Sequence, residues 1–207
     1  MDEKFTPGPW FYAKDLITIW SKEGDVCDLI TSQNEKQMPF EANGALISSA
    51  PELYNTLKNI LNVLNGEFFP VDFSEDGKVL AIDSEFLEAI LKGEELVKTI
   101  VEETNEKFTP GPWLYEKDLA TIFSEEGAVC DLVTNYNGKQ MSVEANRSLI
   151  SSAPELYNTL KDINKALNKE SFPVDFIEDG KILAINAELY EAMIRAFKVL
   201  KKARGEA

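Results

Sequence analysis

Seven side chains with binding chemistry occur twice at the same spacing. They are Trp10, Tyr12, Lys14, Asn43, Tyr54, Asn55 and Lys58, then Trp113, Tyr115, Lys117, Asn146, Tyr157, Asn158 and Lys161. Aromatic faces stack nucleobases and lysines meet phosphates, so these types suit a nucleotide-like ligand. The competing reading puts Trp10 and Tyr54 in the core or at its edge, where large aromatic residues commonly sit. Tyr54, Asn55 and Lys58 share an expected helix with Leu53 and Leu57, and both the polar and the apolar faces of that helix recur unchanged. A second pair of motifs, Ser48-Ser49-Ala50-Pro51-Glu52 and Ser151-Ser152-Ala153-Pro154-Glu155, sets hydroxyls and free amides at a helix start. Such a place caps the helix or holds an anion, and Glu52 one position inside repels a phosphate.

Catalytic chemistry has much less support. The chain has no histidine, which removes the side chain most used for proton transfer near neutral pH and for binding transition metals. A zinc enzyme and a Ser-His-Asp hydrolase are thereby excluded. Neither GxGxxG nor GxxxxGK[ST] occurs, so a Rossmann enzyme or a nucleotide hydrolase has no motif to stand on. Residues Asp72 to Asp83 resemble a calcium loop in outline. Ile177 and Asn186 break the pattern in the second copy, and the bidentate Glu is missing from both. No metal, no cofactor and no catalytic residue is expected, and the chain is read as a non-enzyme. Cys27 and Cys130 occupy matching places in Val-Cys-Asp-Leu. One thiol per copy cannot close a disulfide within a copy, so each is read as a small apolar residue on a strand.

The net charge of −15 disfavours nucleic acid or an anionic membrane as a partner. It is unevenly spread: residues 1 to 103 hold 20 acids and 8 bases, against 16 and 13 in the remainder. No apolar run approaches the roughly 18 residues that span a bilayer, and the expected location is the cytoplasm.

The elements that must position these residues come as a tandem repeat. An offset of 103 aligns Lys4 with Lys107 and keeps every later residue in register. The expected domains are residues 1–104 and 105–207, joined without a Gly/Ser tether. From 4 to 58, 41 of 55 positions match their counterparts, and from 85 to 104 only 5 of 20 do. Change has therefore been accepted mainly in the last helix, either because it merely packs or because the first half of each copy carries a site.

Each copy reads as β-β-α-α-β-β-α, giving an α+β fold packed with pseudo-two-fold symmetry. Thr6-Pro7-Gly8-Pro9 fixes an extended or turn entry. Leu16 to Trp20 and Val26 to Thr31 flank a turn at 22–25, and Ser32 to Pro39 reads as a polar loop. Helices are expected over Glu41 to Ser49 and from Pro51, the second with a stripe of Leu53, Leu57, Ile60, Leu61 and Leu64. Phe69 to Phe73 and Val79 to Ile82 form a further hairpin. Asp83 then caps a last helix whose Phe86, Leu87, Ile90, Leu91 and Val97 face the core.

TPGPW near each start, followed by EAN, LI and APEL, resembles a group of small phage and prophage proteins with an N-terminal TPGPW and a later AN-x-x-LI-x-x-APELL. The group is largely of unknown function. This chain differs in being doubled, in Ser48-Ser49 and Ser151-Ser152 where alanines are usual, and in Tyr54 and Tyr157 where leucine is usual. The resemblance implies a phage protein, and small accessory phage proteins are often inhibitors of host processes, bacterial immunity among them. The first expectation is thus a binding protein that sequesters a nucleotide-like immune signal in the host cytoplasm. The alternative is an acidic inhibitor that occupies a basic surface of a host defence or nucleic-acid-binding protein. A structural or morphogenesis role is a third. The expected assembly is a monomer with an internal pseudo-dimer, or a homo-oligomer.

Overall fold

The computed structural model describes residues 5–33, 36–65, 78–82, 84–105, 107–115, 119–136, 139–140, 142–167, 176–177, 180–185 and 187–206. The first copy contains β1 (Phe11–Ala13), β2 (Thr18–Ser21), β3 (Gly24–Leu29), β4 (Ser32–Gln33), β5 (Lys36–Gln37), α1 (Phe40–Ser48), α2 (Ala50–Asn65), β6 (Lys78–Ile82) and α3 (Ser84–Thr104). The second contains β7 (Leu114–Tyr115), β8 (Thr121–Ser124), β9 (Gly127–Leu132), β10 (Asn135–Tyr136), β11 (Lys139–Gln140), α4 (Val143–Ser151), α5 (Ala153–Leu167), β12 (Phe176–Ile177), β13 (Gly180–Ile185) and α6 (Ala187–Ala203). The fold is α+β, with six described helices around antiparallel sheets.

The expected first hairpin forms as β2 and β3, with an edge strand, β1, added outside β2. Gly24 enters β3 at φ +133°, a backbone conformation that L side chains rarely adopt, which accounts for glycine there and at Gly127. Pairing passes from Ile19↔Cys27 to Trp20↔Asp25 and leaves Val26 with no opposite residue, a β-bulge repeated at Val129. The polar loop from Ser32 holds a short hairpin of β4 and β5, whose two-residue strands are too brief for alternation to reveal.

Helices α1 and α2 lie within one residue of their expected places. The stripe of α2 is buried at Leu53, Leu57, Ile60 and Leu61, each such side chain contributing about 1.5–3 kcal/mol of transfer free energy. On α3 the expected stripe is only partly right. Ile90 is buried and Val97 half-buried, but Leu91 is 55% exposed. The buried face instead runs through Ile90, Leu96 and Ile100, with Gly93 allowing Leu160 of α5 to approach closely. The strand Phe69–Phe73, residues 72–77 of the calcium-like loop, Asp83, Asn186, Lys117 and the side chains of Leu64, Phe86 and Leu87 lie outside the described residues.

The two copies share their sheets and their core. β3 pairs antiparallel with β9 at Cys27↔Leu132, Asp28↔Asp131 and Leu29↔Cys130, making one six-stranded sheet ordered β1-β2-β3-β9-β8-β7. β6 pairs with β13 about Leu80↔Leu183. In both ladders the central residue meets its own counterpart at the offset of 103. Helix α2 packs on α3, α5 and α6, and one cluster of buried side chains runs through both copies. Cys27 and Cys130 are unpaired and fully buried within it, on the same side of the sheet as Leu29 and Leu132. Burial and the neighbouring Cys130 push the Cys27 thiol well above its ordinary range, and the full burial of both suits the small apolar residues expected from their strand context.

Candidate binding surfaces

The two TPGPW segments tie the copies together. Trp10 Nε1–H donates to the Thr6 carbonyl at 2.9 Å, closing a tight turn, and Trp113 repeats this on Thr109 at 3.0 Å. Gly8 passes so close to Pro51 at the start of α2 that an added Cβ would lie 3.0 Å from Pro51 Cβ, which explains why the TPGPW and APEL motifs travel together. Phe5 then meets Tyr54 edge to face at 5.2 Å.

The polar side of each turn reaches across to the other copy. The Thr6 amide donates to Asn146 Oδ1 at 2.7 Å, and Asn146 Nδ2 donates to Thr6 Oγ1 at 2.8 Å. Reciprocally, the Thr109 amide donates to Asn43 Oδ1 at 2.7 Å, and Asn43 Nδ2 donates to Thr109 Oγ1 at 2.9 Å. All four residues are buried.

These contacts decide where the fourteen candidate ligand residues stand. Trp10, Asn43, Tyr54, Trp113, Asn146 and Tyr157 are buried in the clasp and core. The rings of Tyr54 and Tyr157 carry Lys58 and Lys161 at 5.9 and 5.8 Å on the same helices. Asn55 and Asn158 are exposed on the outer faces of α2 and α5. The Ser48 and Ser49 hydroxyls, weighed above as an anion site, both donate to the Ala45 carbonyl, and Ser152 likewise donates to Ser148.

Tyr12 and Lys14 remain together. They line a cleft of about 320 Å³ with Trp10, Glu41, Ser48 and Glu103. The Tyr12 hydroxyl is buried with no hydrogen-bond partner, and burial together with the Glu41 charge raises its pKa, so it stays protonated at neutral pH. At the equivalent place in the second copy Arg147 replaces Gly44. Its guanidinium carbon lies 4.2 Å from the Tyr115 ring centroid, and Tyr115 is 43% exposed.

A second surface lies on the sheet face opposite α1. Inward, Tyr12 and Leu29 meet Gly44 of α1. Outward, Phe11 and Trp20 stand opposite each other across β1 and β2, their rings 4.9 Å apart and each residue 41% exposed. Leu114, the counterpart of Phe11 at the other edge, is 59% exposed. Between these edges the exposed carboxylates of Asp28 and Asp131 face one another, held by hydrogen bonds from the Thr18 and Thr121 hydroxyls. Like charges directly opposed across a ladder are unfavourable, and burial plus the Asp28 charge raises the pKa of nearby Asp25.

Sequence reasoning missed Glu41, Glu103, Asp28 and the exchange of Gly44 for Arg147. The last had a visible signal. The stretch from Glu41 to Lys58 differs from its counterpart at two positions, Ala45 for Ser148 and Gly44 for Arg147, and at the second a residue with no side chain is exchanged for a charged one.

Among the described residues no helix is long and apolar enough to cross a membrane, and no cluster of His, Cys, Asp or Glu could hold a metal ion. The chain matches the family described as Salmonella phage P22 protein Y8K6 over residues 1–94 and again over 101–207. No curated protein and no solved structure matches it.

Proposed function

The chain belongs to the family of Salmonella phage P22 protein Y8K6, in tandem duplicate, and from that premise we propose that it is a non-enzymatic phage inhibitor of a host protein. It binds a basic surface on a host defence or nucleic-acid-binding protein through the outer face of the six-stranded sheet. The observation that carries this reading is the opposed Asp28 and Asp131 pair, bordered by exposed Phe11, Trp20 and Leu114. A cation from a partner relieves the repulsion between those carboxylates, while the apolar border supplies area to bury. A second copy of this chain would bring aspartates against aspartates, so charge favours a basic partner over self-association. The reciprocal clasps support reading the two copies as a fused homodimer with pseudo-two-fold symmetry, whose shared axis builds this face.

Sequestration of a nucleotide-like immune signal is the second reading. Tyr12 and Lys14 beside the cleft favour it, since a ring and a cation suit a base and a phosphate. The electrostatics weaken it, because Glu41 and Glu103 outnumber Lys14 around the same space.

The test is binding by the intact chain and by Asp28→Asn/Asp131→Asn/Trp20→Ser, each first checked for an unchanged melting temperature. A host protein captured by the former, released by salt, lost by the variant and reconstituted from purified components supports the proposal. Capture that ignores the three substitutions overturns it.

A further inference from the structure

We infer that the cleft beside Tyr12 is a receptor site for a guanidinium group, one that the first copy takes from outside and the second copy supplies from its own chain. The copies differ at two positions that bear on this cleft. Gly44 of α1 corresponds to Arg147 of α4, and Val101 of α3 corresponds to Arg204 just beyond α6.

In the second copy both arginines are engaged. Arg147 is 7% exposed and stacks on Tyr115, while Arg204 donates to Glu206 at 2.9 Å. Glu206 corresponds to Glu103 and Glu144 to Glu41, so the second copy pairs one of these acids with Arg204 and adds a second arginine, Arg147, on the Tyr115 ring. The first copy retains both acids and lacks both arginines. Among the described residues neither Glu41 nor Glu103 has an ion-pair partner; Lys14 shares their cleft, and Lys107 lies with both glutamates around the adjoining pocket.

The remaining features fit the same ligand. A guanidinium is planar, stacks on an aromatic face and donates in a fork to carboxylates. Tyr12 offers the ring, Glu41 and Glu103 offer the carboxylates, and the unpartnered Tyr12 oxygen can accept one further N–H. An ammonium would satisfy the carboxylates but not the stacking, which is the contact that Arg147 makes on Tyr115. Gly44 lets Tyr12 and Leu29 pack directly against α1, where the second copy has an arginine. A Cβ there would lie 2.8 Å from Leu29 Cδ1 and 3.1 Å from the Tyr12 ring, so an arginine enters that site in cis only if Tyr12 is displaced outward. The source of the guanidinium is either a free small molecule or an arginine side chain on a partner protein.

Full-length protein titrated with L-arginine amide, with a capped peptide containing one arginine, with L-lysine amide and with ADP-ribose provides the test. The readout is the NMR signals of the Trp10 indole and the Tyr12 ring. The expected result is saturable binding of an arginine probe at one site per chain, and a second site in Arg147→Gly. Binding should be abolished in Gly44→Arg and weakened roughly ten-fold by Glu41→Gln or Glu103→Gln, about the size of one charge-assisted hydrogen bond. Binding of the amide identifies a small-molecule site, and binding of the peptide alone identifies a protein partner. Should Gly44→Arg fail to fold, the two glutamine variants carry the result. No arginine binding, equal binding of lysine amide, preference for ADP-ribose, or indifference to all three substitutions in the first copy overturns the inference. Neither glutamate lies on the outer sheet face, so failure here leaves the sheet-face proposal standing.

Discussion

The two clasps and the two aromatic sites, Tyr12 with Gly44 and Tyr115 with Arg147, have had opposite histories since the chain was duplicated. In the clasps, Thr6 on Asn146 and Thr109 on Asn43 use the same atoms, and paired distances agree within 0.1 Å. At the aromatic sites, a bare Cα at Gly44 faces Tyr12 where an arginine at 147 stacks on Tyr115. A clasp residue touches the other copy, so a change in either half strands a buried amide in the other. A residue of an aromatic site answers only to its own half and to solvent. Duplication therefore left the joint fixed and allowed one binding surface to diverge from its twin.

The largest effect should come from breaking the joint. Asn43→Ala removes two buried hydrogen bonds and leaves the Thr109 amide unsatisfied, costing about 2–4 kcal/mol. Asn146→Ala should cost the same, and chemical denaturation of the two variants measures both. Unequal losses would mean that the halves do not depend on each other symmetrically.

A smaller loss is expected from Arg147→Gly, which gives the second copy the residue of the first. The stacked guanidinium and a helical position lost to glycine together amount to about 1–3 kcal/mol. Thermal unfolding reports the cost, and a gain in stability would show that the arginine is held at a penalty.

The smallest effect concerns charge. Asp25 has its pKa raised by burial and by Asp28, and the second copy has Ala128 at that place. A carboxyl with its folded pKa above the unfolded one disfavours the fold when ionised, so the penalty is present at neutral pH and fades as pH falls through the carboxylate range. Asp25→Ala should therefore stabilise at neutral pH by no more than about 0.5 kcal/mol. The gain should disappear in acid, as melting temperatures across that range would reveal.

Local pattern carried the first half of each copy well. Alternation found the strands β2 and β3, and proline with a 3.6-residue stripe found α2, because each depends on neighbours a few residues apart. It failed where burial depends on a distant element. Leu91 has the spacing of a core residue yet is exposed, since α3 turns the face with Gly93 and Leu96 toward its partners. The candidate ligand set divides between core and surface for a related reason. An asparagine that binds a ligand and one that holds a threonine amide look the same in sequence, and Asn43 and Asn146 hold the threonines.

The order of residues settles that there are two copies, that each holds the β2–β3 hairpin and the α1–α2 pair or their counterparts, and that no imidazole is present for acid–base work. Only the tertiary structure decided whether Thr6 would close on Asn43 of its own copy or on Asn146 of the other. The two asparagines offer identical atoms, so nothing in the order of residues separates the two pairings. What separates them is where the chain's entry segment can reach once β3 and β9 have joined the copies in one sheet.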